Sequence, residues 1–230
     1  MQIVESSVIG TRSAVLRLTR RGGGPVVLVF PMLHVAAPEF YREVEQRLRA
    51  CDLLVVEGVD GDSAMGNALM TTYKVMPAND ESGLVEDDIP YGDLGVPVVL
   101  PDVTAEELDE GFRGLSWKTK LVTWAVIPVV TVGQFFSGRR TLLNVEVNDL
   151  PTAAEELRGE ELDRFADVLL GNRDVRVIAA LAEIVRDRAE ERIDVGVVYG
   201  AAHVPGILRG LYTLGYRVVS ADWVMAVPAD

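Results

Sequence analysis

The stretch PVVLVFPMLHVAAPEFYREVEQRLRACDLLVVEGV, residues 25–59, carries the clearest secondary-structure pattern in the chain. It opens with the continuous apolar run PVVLVF, which is typical of a strand buried on both faces. In residues 37–50, Phe40, Val44 and Leu48 recur at helical spacing. DLLVVEGV then returns to a buried strand. Strand, helix and strand in this order predict a βαβ unit.

Further strands and helices alternate along the chain. SAVLRLT, residues 13–19, alternates apolar and polar positions before the turn RRGGG, which predicts a β-hairpin. Residues 194–200 and 217–227 are further predicted strands. We therefore predict an α/β fold with a mixed, largely parallel sheet and helices on both faces. Residues 1–230 form one predicted domain, with a helical cap inserted at residues 61–140.

The composition excludes several classes of protein. With 22 basic and 35 acidic residues the net charge is −13, which disfavours binding to a nucleic-acid backbone. The single cysteine, Cys51, excludes an internal disulfide and a thiolate zinc cluster, and we expect it to be buried. The first ten residues lack the pattern of a signal peptide, so we expect a cytoplasmic protein.

The segment LVTWAVIPVVTVGQFF, residues 121–136, is apolar and carries no charge. It is shorter than the roughly 20 residues of a membrane span, and Pro128 interrupts it. It predicts a buried helix or a homodimer contact. A substrate-channel lid and a shallow membrane contact are weaker alternatives, so membrane contact is disfavoured.

Both histidines of the chain follow apolar strands of the same kind. VFPMLHVAAP, residues 29–38, contains His34, and VYGAAHVPGI, residues 198–207, contains His203. In both, a strand ends at a tight turn, the histidine comes three residues later, and a helix follows. This pattern predicts a repeated strand–turn–His–helix–strand unit. Both histidines would lie beyond the carboxyl ends of strands, where open α/β sheets bind ligands.

Each unit also carries an acid on its second strand. Glu57 follows LLVV in the first unit, and Asp222 lies in the last strand of the second. Because a carboxylate at the end of a buried strand needs a partner, we expect Glu57 to join His34 and His203. Two imidazoles and a carboxylate can bind a divalent ion such as Mn²⁺, Co²⁺ or Zn²⁺. They equally suit metal-free chemistry with a histidine as general base.

Two further residues are candidates. Arg173, in GNRD at a predicted helix start, suits an oxyanion clamp, and the alternative is a solvated ion pair with Asp174. Asp102 follows another strand and ranks lower because it can cap the next helix. The chain has no Gly-rich nucleotide motif at a strand–helix turn, no GxSxG elbow and no HExxH.

The same segments resemble a known family. GAAHVPGI and PMLHV resemble the second and first GxxH motifs of the TraB/PrgY family, with Pro31 where the first motif has Gly. LLVVEGV and GNRD resemble its acidic strand and arginine segment. This family is grouped with the Tiki-type proteases, and the wider superfamily includes erythromycin esterases and ChaN-like haem-binding proteins. The resemblance covers roughly residues 25–60 and 165–225.

The resemblance implies a mixed α/β fold and either a metal-dependent peptidase or an esterase with a histidine base. By position, its site residues become His34, Glu57, Arg173 and His203. We therefore predict a hydrolase acting on a small peptide or an ester. The alternatives are a non-catalytic module that binds a peptide, a pheromone or haem, with haem disfavoured, and a dimeric interaction protein with a vestigial site.

Overall fold

The structure is a computed structural model that describes residues 2–58, 83–101 and 172–229. The chain divides into two compact units. The first contains Met1–Gly58, Val85–Asp102 and Asp174–Asp230, and the second contains Val59–Leu84 and Val103–Arg173. The main sheet and its core belong to the first unit.

Several sequence predictions lie outside the described residues. They include most of the predicted cap at 61–140, the apolar segment 121–136 with its homodimer contact, and Asp102. Within the predicted cap, Val85–Asp102 belongs to the first unit. No helix in the described part of the chain is long and apolar enough to cross a membrane.

The described residues contain nine strands and three α-helices, numbered here in chain order. The strands are β1 (Val4–Ser7), β2 (Gly10–Arg20), β3 (Val26–Met32), β4 (Val35–Ala36), β5 (Leu53–Val56), β6 (Val85–Glu86), β7 (Val98–Val99), β8 (Asp194–Gly200) and β9 (Tyr216–Pro228). The helices are α1 (Pro38–Leu48), α2 (Asn172–Asp187) and α3 (Val204–Thr213). Two 3₁₀ turns lie at Tyr91–Asp93 and Ala201–His203.

Seven of these strands form one mixed sheet, which confirms the predicted α/β fold. β3, β8, β5 and β7 lie side by side and run parallel. β2 pairs antiparallel with β3, as the predicted hairpin requires, and also with β1 and β9. β4 and β6 form a separate two-stranded sheet. The parallel part therefore presents the carboxyl ends of four strands at one edge.

The helices cover the sheet on both faces. On one face, α2 and α3 pack on the sheet through a single buried cluster that includes Leu16, Val29, Val197, Leu181 and Ile207. Gly196 alternates with Val197 and points to the opposite face. A Cβ at Gly196 would lie 3.1 Å from the Cys51 sulfur and 3.4 Å from Leu48, the last residue of α1. The glycine thus leaves room for the end of α1 on that face.

The two histidine units share an order of elements but not a register. In the sequence, Pro31 aligns with Gly200. In the sheet, where β3 pairs with β8, Pro31 lies beside Tyr199 and Met32 lies beside Gly200. A shift of one residue moves a side chain to the other face of a strand. The second strands differ as well, since β5 runs parallel to β8 and β9 runs antiparallel to β2. The aligned residues are therefore not structurally equivalent.

Cys51 is buried, as expected, and we predict that it is inert in the native protein. Burial, and then the charges of Asp194 and Asp52, raise the pKa of its thiol to about 12. Because the thiolate is the reactive form, native protein at pH 8 should react with a disulfide reagent at least about 100-fold more slowly than urea-unfolded protein. Spectrophotometric thiol titration measures both rates. Rapid, complete labelling of folded protein would contradict this burial.

Candidate active site

His203 lies at the carboxyl edge of the parallel strands. It ends the 3₁₀ turn Ala201–His203, which follows β8 directly, and α3 begins at the next residue, Val204. Pro205 lies in the first turn of α3, where its missing N–H costs no helical hydrogen bond. Since β8 lies between β3 and β5, His203 stands near the middle of this edge. Ligands of open α/β sheets bind in this position.

The imidazole of His203 lies between two carboxylates. Its Nδ1 is 2.7 Å from Oδ1 of Asp174, and its Nε2 is 3.4 Å from Oε1 of Glu57. The side chain of His203 is 5% exposed, against 18% for Asp174 and 22% for Glu57. The ring of Tyr199 meets the imidazole edge-on, with centroids 5.7 Å apart. The ring is therefore held inside the protein, and the two acids reach towards the surface.

Glu57 is held in place by the backbone around it. Its own N–H donates to the Val198 carbonyl, which continues the pairing of β5 with β8. Its Oε2 accepts a hydrogen bond of 2.6 Å from the Gly200 N–H. Gly200 has φ −50° and ψ 141°, a conformation open to any residue, but its Cβ would lie 3.3 Å from that oxygen. The glycine three residues before His203 thus makes room for the Glu57 carboxylate.

Asp174 is the site residue that the sequence patterns missed. It lies in the first turn of α2, where an acid is favoured by the helix dipole whatever else it does. Its local sequence therefore suggested only a partner for Arg173. The contact with His203 joins residues 29 positions apart, through packing of α2 against α3. An acid in the first turn of a helix is a common pattern, so the sequence did not indicate the contact between Asp174 and His203.

The structure brings Glu57 and His203 together, as predicted, and the convergence of Arg173 and His34 with them stays a prediction. Arg173 is partly buried at the start of α2, one residue before Asp174. Its role as an oxyanion clamp stays a prediction. His34 is exposed, and its carbonyl accepts a hydrogen bond of 3.2 Å from the Asp87 N–H, next to the pairing of β4 with β6. His34 thus belongs to a second polar cluster.

This second cluster centres on Asp87. The carboxylate accepts hydrogen bonds from the Ile89 N–H at 3.1 Å and from the Tyr91 hydroxyl at 2.9 Å. Burial raises the pKa of Asp87, and the two hydrogen bonds and the charge of His34 oppose that rise. Burial also raises the pKa of Tyr91 and is the largest cause. The charge of Asp87 raises it further, and the charge of Glu57 raises it more weakly. Tyr91 therefore lies within electrostatic range of Glu57.

The predicted metal site of His34, Glu57 and His203 stays a prediction. Among residues 2–58, 83–101 and 172–229, no set of three or more His, Cys, Asp or Glu side chains is arranged to hold a metal ion. A metal bonds to an imidazole nitrogen through its lone pair at about 2 Å. In His203, both ring nitrogens face carboxylates instead, on opposite sides of the ring. Binding of Mn²⁺, Co²⁺ or Zn²⁺ therefore stays a prediction to which this arrangement adds no support.

Asp222, the acid of the second unit, lies away from strand ends. It is inside β9, beside Val15 of β2, with a side chain that is 75% exposed. It forms an ion pair with Arg47 of α1, at 3.6 Å. An ion pair this exposed contributes little to stability. The described contacts of Asp222 are those of a surface residue.

Comparisons of the chain with protein-family models, with curated proteins and with solved structures found no match. The resemblance to the TraB/PrgY family therefore stays a prediction carried by short motifs. The function of the chain is inferred from the geometry around His203.

Proposed function

We propose that this chain is a hydrolase that cleaves a carbonyl ester or peptide bond by acid–base chemistry at Glu57 and His203. The observation that carries the proposal is the imidazole of His203 bridging Asp174 at 2.7 Å and Glu57 at 3.4 Å, at the carboxyl edge of the sheet. An acid that orients one ring nitrogen leaves the other free for proton transfer. The position and the residue types together favour catalysis over a purely structural role.

The hydrogen bond to Asp174 determines which nitrogen can act. An ionised carboxylate can only accept, so in the neutral imidazole Nδ1 donates its proton to Asp174 and the lone pair lies on Nε2. That lone pair faces Glu57. The 3.4 Å separation is longer than the usual 2.7–3.2 Å of a hydrogen bond, and we expect it to shorten when Glu57 holds a proton.

Glu57 is the group that reaches water, since its side chain is more exposed than that of His203. In the proposed step, Glu57 takes a proton from water as the water oxygen bonds to the substrate carbonyl carbon. The proton passes to Nε2, and the imidazolium lies between two carboxylates. When the tetrahedral intermediate collapses, the carbon–oxygen or carbon–nitrogen bond breaks and the proton returns through Glu57 to the leaving group. The products are an acid and an alcohol or amine.

The test is hydrolysis of p-nitrophenyl butyrate and of fluorescently labelled casein by the purified full chain. Wild type should release product above the buffer rate from at least one of them, and Glu57→Gln should lose that activity. Glu39→Gln is the matched control, because Glu39 is an exposed acid on α1 paired with Arg42. It should keep wild-type activity. Buffer rates for wild type on both substrates, or full activity in Glu57→Gln, would overturn the proposal in favour of a non-catalytic module.

A further inference from the structure

Helices α2 and α3 meet along a seam of two glycines. Gly206 of α3 faces Asp174 of α2, and Gly210, one turn later, faces Ile178. A Cβ at Gly206 would collide with Oδ2 of Asp174 and lie 2.7 Å from its Cγ. A Cβ at Gly210 would lie 2.6 Å from Cδ1 of Ile178 and 2.8 Å from Cγ2. Real Cβ atoms do not approach neighbours this closely, so a side chain at either position would displace the Asp174 carboxylate or the Ile178 side chain that it meets.

The backbone gives no other reason for glycine at these positions. Both lie inside α3, and neither has a positive φ. Glycine inside a helix is less favourable than alanine, because it loses more conformational freedom on folding. The close approach of α2 is therefore the feature that both glycines serve. At Gly206 the atoms that approach belong to the carboxylate that touches His203.

We propose that Gly206 is a positioning residue, whose missing side chain sets the hydrogen bond between Asp174 and His203. One carboxylate oxygen of Asp174 bonds Nδ1 of His203 at 2.7 Å, and the other lies over the Gly206 Cα. A methyl group at 206 displaces that second oxygen, and the first oxygen moves with it. A shift of about 1 Å is enough to break a hydrogen bond of this length. The role in catalysis, though not the positioning itself, rests on the proposed function.

The experiment compares Gly206→Ala with Gly210→Ala. Each adds one methyl group to the same seam of the same helix, but only the first displaces a polar group of the site. The readout is the ¹H–¹⁵N NMR spectrum of the His203 ring. Because the chain has two histidines, the ring signals that remain in His34→Gln are those of His203. Gly210→Ala should keep the Nδ1–H signal of the wild type. Gly206→Ala should lose it, with a kcat at least about 100-fold lower on any substrate that the wild type hydrolyses.

A double-mutant cycle covers the case in which Gly206→Ala folds poorly. In Asp174→Ala the carboxylate is gone, and its Cβ would remain an ordinary 3.5 Å from a methyl group at 206. Gly206→Ala should lower the urea concentration at the midpoint of unfolding, and this decrease should disappear in the Asp174→Ala background. Equal losses in both backgrounds, or an unchanged Nδ1–H signal in Gly206→Ala, would overturn the proposal. Both readouts are independent of hydrolysis, so a failure of the proposed function would be seen separately.

Discussion

Replacing Asp174 with asparagine is expected to lower kcat for the proposed ester or peptide hydrolysis by about 10²- to 10⁴-fold. The replacement keeps the shape of the side chain, and the site should remain assembled. What changes is the proton on the ring. The asparagine amide can donate to Nδ1, 2.7 Å away in the wild type, and the ring proton then moves to Nε2. Nε2 would face Glu57 as a donor and could not accept a proton from it.

The measurement distinguishes a change in the tautomer of the His203 ring from a loss of folded structure. ¹⁵N shifts of the His203 ring should report protonation at Nδ1 in the wild type and at Nε2 in Asp174→Asn. KM should change little, since Asp174 orients the ring and makes no proposed contact with substrate. Asp52→Asn is the control, because Asp52 also accepts a hydrogen bond, from the Asp194 N–H, but at the start of β5. A wild-type kcat in an Asp174→Asn protein whose ring tautomer has switched would contradict the mechanism.

The sheet could be predicted from the sequence because its signals are local. Apolar runs of four to seven residues bounded by turns mark β3, β5 and β8, and the spacing of Phe40, Val44 and Leu48 marks α1. The position of His203, between a strand and a helix, followed from the same signals. Glu57 was predicted at the same edge because it ends a buried strand, and the structure pairs β5 parallel with β8, so that the carboxyl ends of the two strands meet there.

The environment of His34 could not be predicted in this way. Whether two similar strands are equivalent depends on their register, and register is decided by which side chains pack on each face. The structure pairs Met32 rather than Pro31 with Gly200, and β4 intervenes before α1, whereas α3 starts directly after His203. These differences come from tertiary packing, so an alignment of two ten-residue segments carries no information about them. The contact between Asp174 and His203 was missed for the same reason.

Replacing Tyr199 with alanine is expected to lower the free energy of unfolding by about 3–5 kcal/mol, the usual cost of removing a buried aromatic ring. Tyr199 is fully buried on the face of the sheet that α2 and α3 cover, in the cluster with Val177 and Ile207. Its loss leaves a cavity between these elements. Urea unfolding followed by tryptophan fluorescence measures the change as a lower midpoint, with the slope checked for two-state behaviour.

Phe30→Ala is the matched control for this prediction. Phe30 is also almost fully buried, but it pairs with Val198 and so points to the opposite face from Tyr199. Both variants should lose similar stability, yet only Tyr199→Ala removes a ring that packs edge-on against His203, and only it should shift the His203 ring signals. If Phe30→Ala shifted the His203 ring signals equally, the position of the imidazole would depend only on the overall stability of the protein. A selective effect would mean that the core on one face of the sheet also fixes the imidazole.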